Sequence, residues 1–232
     1  MLKLAIWDMD GTIVDSREVI TMAMARAFET CGLPPPGYDE TRTIVGLDLA
    51  EACRRLAPPD VKAALLGRLV EAYRNAFIAR RKEPGFKEPL YEGALETLQR
   101  MRDDNWLIAM ATGKSKRGIE AVFSMHPLAQ YFDTVHCADD GPGKPNPAMV
   151  NAAMDRMGAD ADRSVMIGDA VFDMQMGRAA GVHCLGVSWG FGETGELENA
   201  GAHAVHHDFR GLNKGLTDFA ERVEAAALGG TP

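Results

Sequence analysis

The residues of this chain that could do chemistry fall into four short stretches: Asp8-Met9-Asp10-Gly11-Thr12, Thr112-Gly113-Lys114, Gly143-Lys144-Pro145, and Gly168-Asp169 followed by Asp173. The first offers two carboxylates. The second offers a hydroxyl and a glycine that lets backbone amides approach an anion at a helix start. The third brackets one lysine between glycine and proline, which holds an ammonium in place at low entropic cost. The fourth adds two more acids. Each has a plainer reading alone: Asp-Gly is a common turn former, Asp169 and Asp173 suit an N-cap and a first-turn acid, and a lysine in a loop is usually solvated. Together they make a constellation. Acids gathered at one place repel unless a divalent cation sits among them, and hard oxygen ligands favour Mg²⁺. Carboxylates, Mg²⁺, one lysine and a hydroxyl-plus-amide cradle suit a phosphoryl group, whose transfer depends on positioning and on neutralising its oxygens.

The elements that must position these groups are legible in the pattern. Leu2, Leu4, Ala5, Ile6 and Trp7 form an apolar run that is too short for a stable helix and apolar on both faces, which suits a central parallel strand. Asp8 and Asp10 then fall beyond its carboxyl end, where open α/β sheets bind ligands. Arg17 to Cys31 reads as a helix with Ser16 as N-cap and Gly32 as its stop. After the break Leu33-Pro34-Pro35-Pro36-Gly37, the stretch from Asp39 to Arg81 keeps helical spacing with no strand pattern. From Leu90 strands and helices alternate. Strands are expected at 106–111, 134–137, 164–167, 182–187 and 204–205, with a closing helix over Leu212–Ala226 and a fraying tail from Leu228. The fold class expected is α/β: a doubly wound parallel sheet with right-handed crossovers, residues 1–15 and 88–232 forming the core and 16–87 a helical insertion.

Composition narrows the function. The 232 residues are 46% apolar and carry a formal charge of -8, and no Lys/Arg-rich run could follow a nucleic-acid backbone. Nucleic acid is therefore excluded as a partner. Cys31, Cys53, Cys137 and Cys184 are scattered without metal-ligand spacing and read as reduced thiols. No apolar stretch reaches the length of a membrane span, and the charged start does not suit a signal peptide, so a cytoplasmic location is expected. The six histidines share no common spacing, and Trp7, Trp106 and Trp189 read as core residues.

On these four motifs the sequence resembles the haloacid dehalogenase-like superfamily of hydrolases over nearly its whole length. The resemblance implies a Rossmann-like core with a small α-helical cap, and a set of roles. Asp8 would be the nucleophile that forms an aspartyl-phosphate, and Asp10 the acid/base, its main-chain carbonyl also offered to Mg²⁺. Thr112 and the amide of Gly113 would hold phosphoryl oxygens, Lys144 would neutralise charge on Asp8 and the phosphate, and Asp169 and Asp173 would support the metal. Position 113, where many relatives carry asparagine, is a departure that keeps the amide and loses the side chain. Asp10 argues against dehalogenation, which dispenses with that acid. The absence of a lysine near Gly46-Leu47, where Asp48 and Leu49 stand, argues against phosphonate hydrolysis. A phosphohexose mutase keeps the same motifs, and a non-catalytic phosphate-binding module would be marked by loss of Asp8 or Asp10, both present here. Asp15-Ser16, Val45-Gly46 and Gly186-Val187-Ser188-Trp189-Gly190 look most like phosphoglycolate phosphatases. The expected partner is a small phosphorylated metabolite such as 2-phosphoglycolate, the expected assembly a monomer or homodimer, and Arg42, with Thr43 and Gly46, the expected substrate contacts in the cap.

Overall fold

A computed structural model describes residues 2–229, and among them six strands form one parallel sheet in the order β3-β2-β1-β4-β5-β6. The strands are β1 (Leu4–Trp7), β2 (Leu107–Thr112), β3 (Thr134–Cys137), β4 (Ser164–Gly168), β5 (His183–Val187) and β6 (Ala204–His206). β1 lies between β2 and β4, with Trp7 in register with Met110 on one side and Ile167 on the other. Its apolar run follows from this place. Leu4 and Ile6 enter one core with Ala109, Met166, Met174 and Val150, while Ala5 and Trp7 enter the opposite core with Ile108, Met110, Ile167 and Leu216. A strand covered on both faces has no polar alternation to show. Trp7 is fully buried and stacks on Phe209 at 6.5 Å, a burial that contributes about 2–3 kcal/mol.

Helices cover both faces: α5 (Ala94–Asp103), α6 (Lys116–Met125), α7 (Ala148–Met157), α8 (Val171–Ala179), α9 (Thr194–Asn199) and α10 (Phe209–Gly229). The helical stretch after β1 becomes α1 (Arg17–Thr30), α2 (Tyr38–Arg42), α3 (Leu49–Leu56) and α4 (Ala63–Arg81). These build a core of their own from Met24, Phe28, Cys53, Leu69 and Phe77, which reaches Ala170 and Phe172 at the start of α8 and Phe191 on the loop beyond β5. The two ends of the stretch meet: Asp15 N donates to Pro89 O at 2.8 Å, and Val14 bridges to Leu90.

Side chains cap the starts of α3 and α6. Ser115 accepts from Gly118 N ahead of α6, and Asp48 accepts from Ala50 N and Glu51 N ahead of α3. Ser16 is different. It stands at the N-cap of α1, but its hydroxyl is buried and makes no capping bond; Asp15 instead accepts from Arg17 N at 3.3 Å and holds that side chain's guanidinium. The closing helix starts three residues earlier than its apolar pattern suggested, because Asp208 accepts from Gly211 N at 2.6 Å. That helix includes Leu228 and Gly229, and the rest of the expected fraying tail lies outside the described residues. Among the described residues, no helix is long and apolar enough to cross a membrane.

Candidate active site

Strand order reverses at β1, so the carboxyl ends of β1, β2 and β4 converge on one crevice. Asp8, Thr112 and Asp169 stand at those three ends, and Asp8 N donates to Ile167 O at 2.9 Å. The chain after Asp8 turns tightly, with the amides of Ile13 and Val14 both donating to Met9 O and Gly11 N donating to Val14 O. Gly11 holds φ at +82°, which favours glycine, and a Cβ there would run into the Asp169 carboxylate and the Phe191 ring. Glycine at 11 thus serves both the turn and the approach of Asp169.

Asp169 is held from three directions. Thr12 Oγ1 donates to Oδ1 at 2.7 Å, Phe191 N donates to Oδ2 at 2.8 Å, and Gly190 leaves room where a Cβ would meet the carboxylate. It does not cap α8; Ala170 stands at that position, and its amide donates to Asp173 Oδ2 at 2.9 Å. Trp189 Nε1 donates to Thr12 O at 3.1 Å and fixes the same loop from outside. Thr12 stands in the first motif and Trp189 and Gly190 in the pattern near the end of the chain, but their grip on Asp169 has no signal in the sequence.

Lys144 completes the cluster. Its Nζ lies 2.7 Å from Asp8 Oδ1 and 2.6 Å from Asp173 Oδ1, close ion contacts without hydrogen-bond alignment, and all three side chains are buried. Burial opposes the lysine's charge, but Asp173 and Asp8 outweigh it and hold the ammonium above the ordinary lysine range. The carboxylates are shifted upward too, but for an acid that shift disfavours the charged form. Burial pushes Asp8 up to about 7, with Lys144 pulling down and Asp173 and Asp10 pushing up. Burial, followed by the charges of Asp8 and Asp173, raises Asp169 well above the usual carboxylate range.

Oxygens of Asp8, Asp169 and Asp173 lie within 4.8 Å of one another. Three buried carboxylates face one ammonium here, and Oδ1 of Asp8 and of Asp173 accepts no hydrogen bond. That excess of hard, buried oxygen donors fits a small divalent cation such as Mg²⁺. The side chain of Asp10 turns away from this trio toward Lys114, whose Nζ lies 2.9 Å from Asp10 Oδ1.

Thr112 is buried and its Oγ1 accepts from Lys114 N at 3.2 Å; Gly113 sits beneath the Gly46–Leu47 turn. A Cβ on Gly46 would lie 3.3 Å from Ala170 Cβ and 3.9 Å from Lys144 Cδ, so that turn overhangs the cluster. Arg42 stands apart. Glu196 takes its guanidinium at 2.8 and 3.2 Å and Glu193 at 3.1 Å, which ties α2 to α9. With Thr43 it borders a cavity of about 60 Å³ beside Ala170 and Phe172. A larger cavity, about 420 Å³, is remote from the carboxylates and is lined by Arg178, His183, His203 and Arg222. Glu88, absent from the motifs read in the sequence, is buried and binds Arg81 of α4 at 2.7 Å. An acid in a charged stretch between two helices gives no signal of burial.

With this geometry in view, the model of the family described as haloacid dehalogenase-like hydrolase matches residues 5–187. The probable phosphatase IndB of Dickeya dadantii is 31% identical over 212 residues, covering 90% of this chain and 91% of that protein. A phosphoglycolate phosphatase of Pseudomonas putida is 27% identical over 232 residues, covering 97% of this chain and 84% of that protein. The crystal structure of a hydrolase from Pseudomonas syringae superposes with a TM-score of 0.84 at 25% identity, covering 93% of this chain and 98% of that one.

Proposed function

Because this chain belongs to the haloacid dehalogenase-like hydrolases and is a phosphatase, we propose that it hydrolyses a small phosphomonoester through an aspartyl-phosphate on Asp8, with Mg²⁺ as cofactor. The observation that carries this reading is the Lys144 ammonium set between Asp8 and Asp173, beside Asp169, in a buried cluster at the switch point of the sheet.

In the first half-reaction an oxygen of Asp8 attacks phosphorus, and the bond to the leaving oxygen breaks as a proton arrives from Asp10. Thr112 and the amide of Gly113 receive two phosphoryl oxygens, and Lys144 offsets the charge that Asp8 and the phosphoryl group share. In the second half-reaction Asp10, now a carboxylate, takes a proton from water as that water attacks phosphorus, which frees Asp8 and releases inorganic phosphate. Asp8, Asp169, Asp173 and the main-chain carbonyl of Asp10 would hold Mg²⁺, which when bound neutralises the carboxylates and a phosphoryl oxygen. Residues 16–87 serve as a cap over residues 1–15 and 88–232; the Gly46–Leu47 turn excludes water from the phosphoryl site.

For the substrate we propose 2-phosphoglycolate. The relative of P. putida is named for that activity, and the space beside Ala170 and Phe172, about 60 Å³, suits a group of a few atoms. The test is phosphate release from a panel of 2-phosphoglycolate, sugar phosphates and nucleotides, with Mg²⁺ and again with EDTA. A Mg²⁺-dependent preference for 2-phosphoglycolate of a hundredfold in kcat/KM, about 2.7 kcal/mol, supports the reading. Broad, weak release would sink the substrate, and release undiminished by EDTA would sink the metal.

A further inference from the structure

The Asp10 carboxylate is held by a charge rather than by amides. Its Oδ1 accepts no hydrogen bond, and the group nearest it is the Lys114 ammonium at 2.9 Å. Lys114 is itself unusually confined for a lysine next to a loop. Its side chain is 8% exposed, its amide donates to Thr112 Oγ1 and its carbonyl accepts from Ala138 N. Its stem runs over Gly118 in the first turn of α6, where a Cβ would stand 2.6 Å from Lys114 Cγ. On the far side of the ammonium lies Glu88, with Oε1 at 3.8 Å, and above it the Phe77 ring at 5.2 Å. Glu88 gives its other oxygen to Arg81, at 2.9 Å from Nε and 2.7 Å from the terminal nitrogen, and Arg81 stacks on the same Phe77 at 4.6 Å. Burial raises the Tyr73 phenol of α4, with Asp10 and Glu88 adding to the effect.

Buried ion pairs of this kind add little to stability over an apolar substitute, so their value lies in fixing geometry. A general acid must come within hydrogen-bond reach of the leaving oxygen, and a displacement of one ångström can cost a factor of about 100. We propose that Lys114 is a positioning residue for Asp10, and that Glu88, clamped by Arg81 of α4, anchors Lys114 in turn. The alternating chain Arg81, Glu88, Lys114, Asp10 joins α4 to the acid, so the acid is set only when α4 lies over the site. This rests on the reading of Asp10 as the acid that protonates the leaving oxygen.

The experiment compares kcat/KM for 2-phosphoglycolate, whose alkoxide leaving group needs a proton, with that for p-nitrophenyl phosphate, whose phenolate leaves without one. kcat/KM reports only steps up to loss of the leaving group. Lys114→Met is expected to lower it about 100-fold for 2-phosphoglycolate and less than about 5-fold for p-nitrophenyl phosphate, with Lys114→Arg recovering most of the difference. Glu88→Gln is expected to show the same bias at smaller size, and decides the matter if Lys114→Met does not fold. Equal losses on the two substrates, or none on either, overturn the proposal provided that Asp10→Asn itself shows the bias. If Asp10→Asn affects both substrates equally, the acid assignment fails, and the positioning role fails with it.

Discussion

Gly113 lies directly beneath the peptide oxygen of Gly46: a Cβ on Gly113 would stand 2.7 Å from that oxygen and 3.0 Å from Leu47 O. This accounts for the one departure from the family pattern in the second motif. A side chain at 113 and a turn packed this closely on it exclude each other. Gly113→Asn is therefore expected to push the Gly46–Leu47 turn outward. Overpacking should cost about 1–3 kcal/mol of stability, and kcat/KM should fall on the order of tenfold as the phosphoryl site opens to water. Denaturant melts and steady-state kinetics check both, and unchanged values would show that the turn yields freely.

Asp8→Asn is expected to abolish turnover and phosphoenzyme formation while the fold persists, read by trapping with labelled substrate and by circular dichroism. The same substitution has a signed effect on stability in EDTA. The folded Asp8 titrates near 7 against 3.8 when exposed, so between those values the folded state holds more protons and stability falls as pH rises. The penalty is absent below about pH 4 and complete above about pH 7. Asparagine removes it, so the variant's Tm should exceed that of the parent increasingly from pH 4 to pH 7 and then level off, a gain on the order of 4 kcal/mol. A constant difference across that range would contradict the burial of Asp8 as a charge.

Mg²⁺ should raise the Tm of the parent protein, by about 2.7 kcal/mol of stability at a hundredfold excess over its dissociation constant. Asp169→Asn should lose that gain, since Phe191 N can still donate to the amide oxygen and Thr12 Oγ1 can accept from the amide nitrogen, while one charged ligand disappears. Thermal shifts with and without Mg²⁺ measure it. A variant that responds to Mg²⁺ like its parent would remove Asp169 from the metal set.

Arg42→Met tests a residue that sequence reasoning assigned to substrate. With Glu196 and Glu193 already holding the guanidinium, the substitution is expected to leave KM within about a factor of three and to cost up to about 1 kcal/mol of stability, the range of partly exposed pairs. A tenfold rise in KM at constant kcat would return Arg42 to the substrate.

How much of this was legible beforehand follows from the range of each interaction. The strand ends and helix caps are written within a few residues, and so Asp8, Thr112, Lys144 and Asp169 could be expected at one crevice once the alternation implied a parallel sheet. Glu88 could not. Its surroundings are Arg81, Lys114 and the His126 ring, whose Nε2 donates to Glu88 O at 2.7 Å, and no local pattern announces such a meeting. The ties of Arg42 were hidden for the same reason: its partners Glu193 and Glu196 stand at the start of α9, more than a hundred residues along the chain.

The central place of β1 has a kinetic consequence. Leu4 pairs with Leu107 on one side and Ser164 on the other, so the strand that carries Asp8 gains neighbours only after long loops close. α1 and α4, by contrast, pack on each other within one segment. Refolding should begin in those helices and wait on the sheet, and the catalytic crevice, formed where β1 meets both partners, is among the last features to exist.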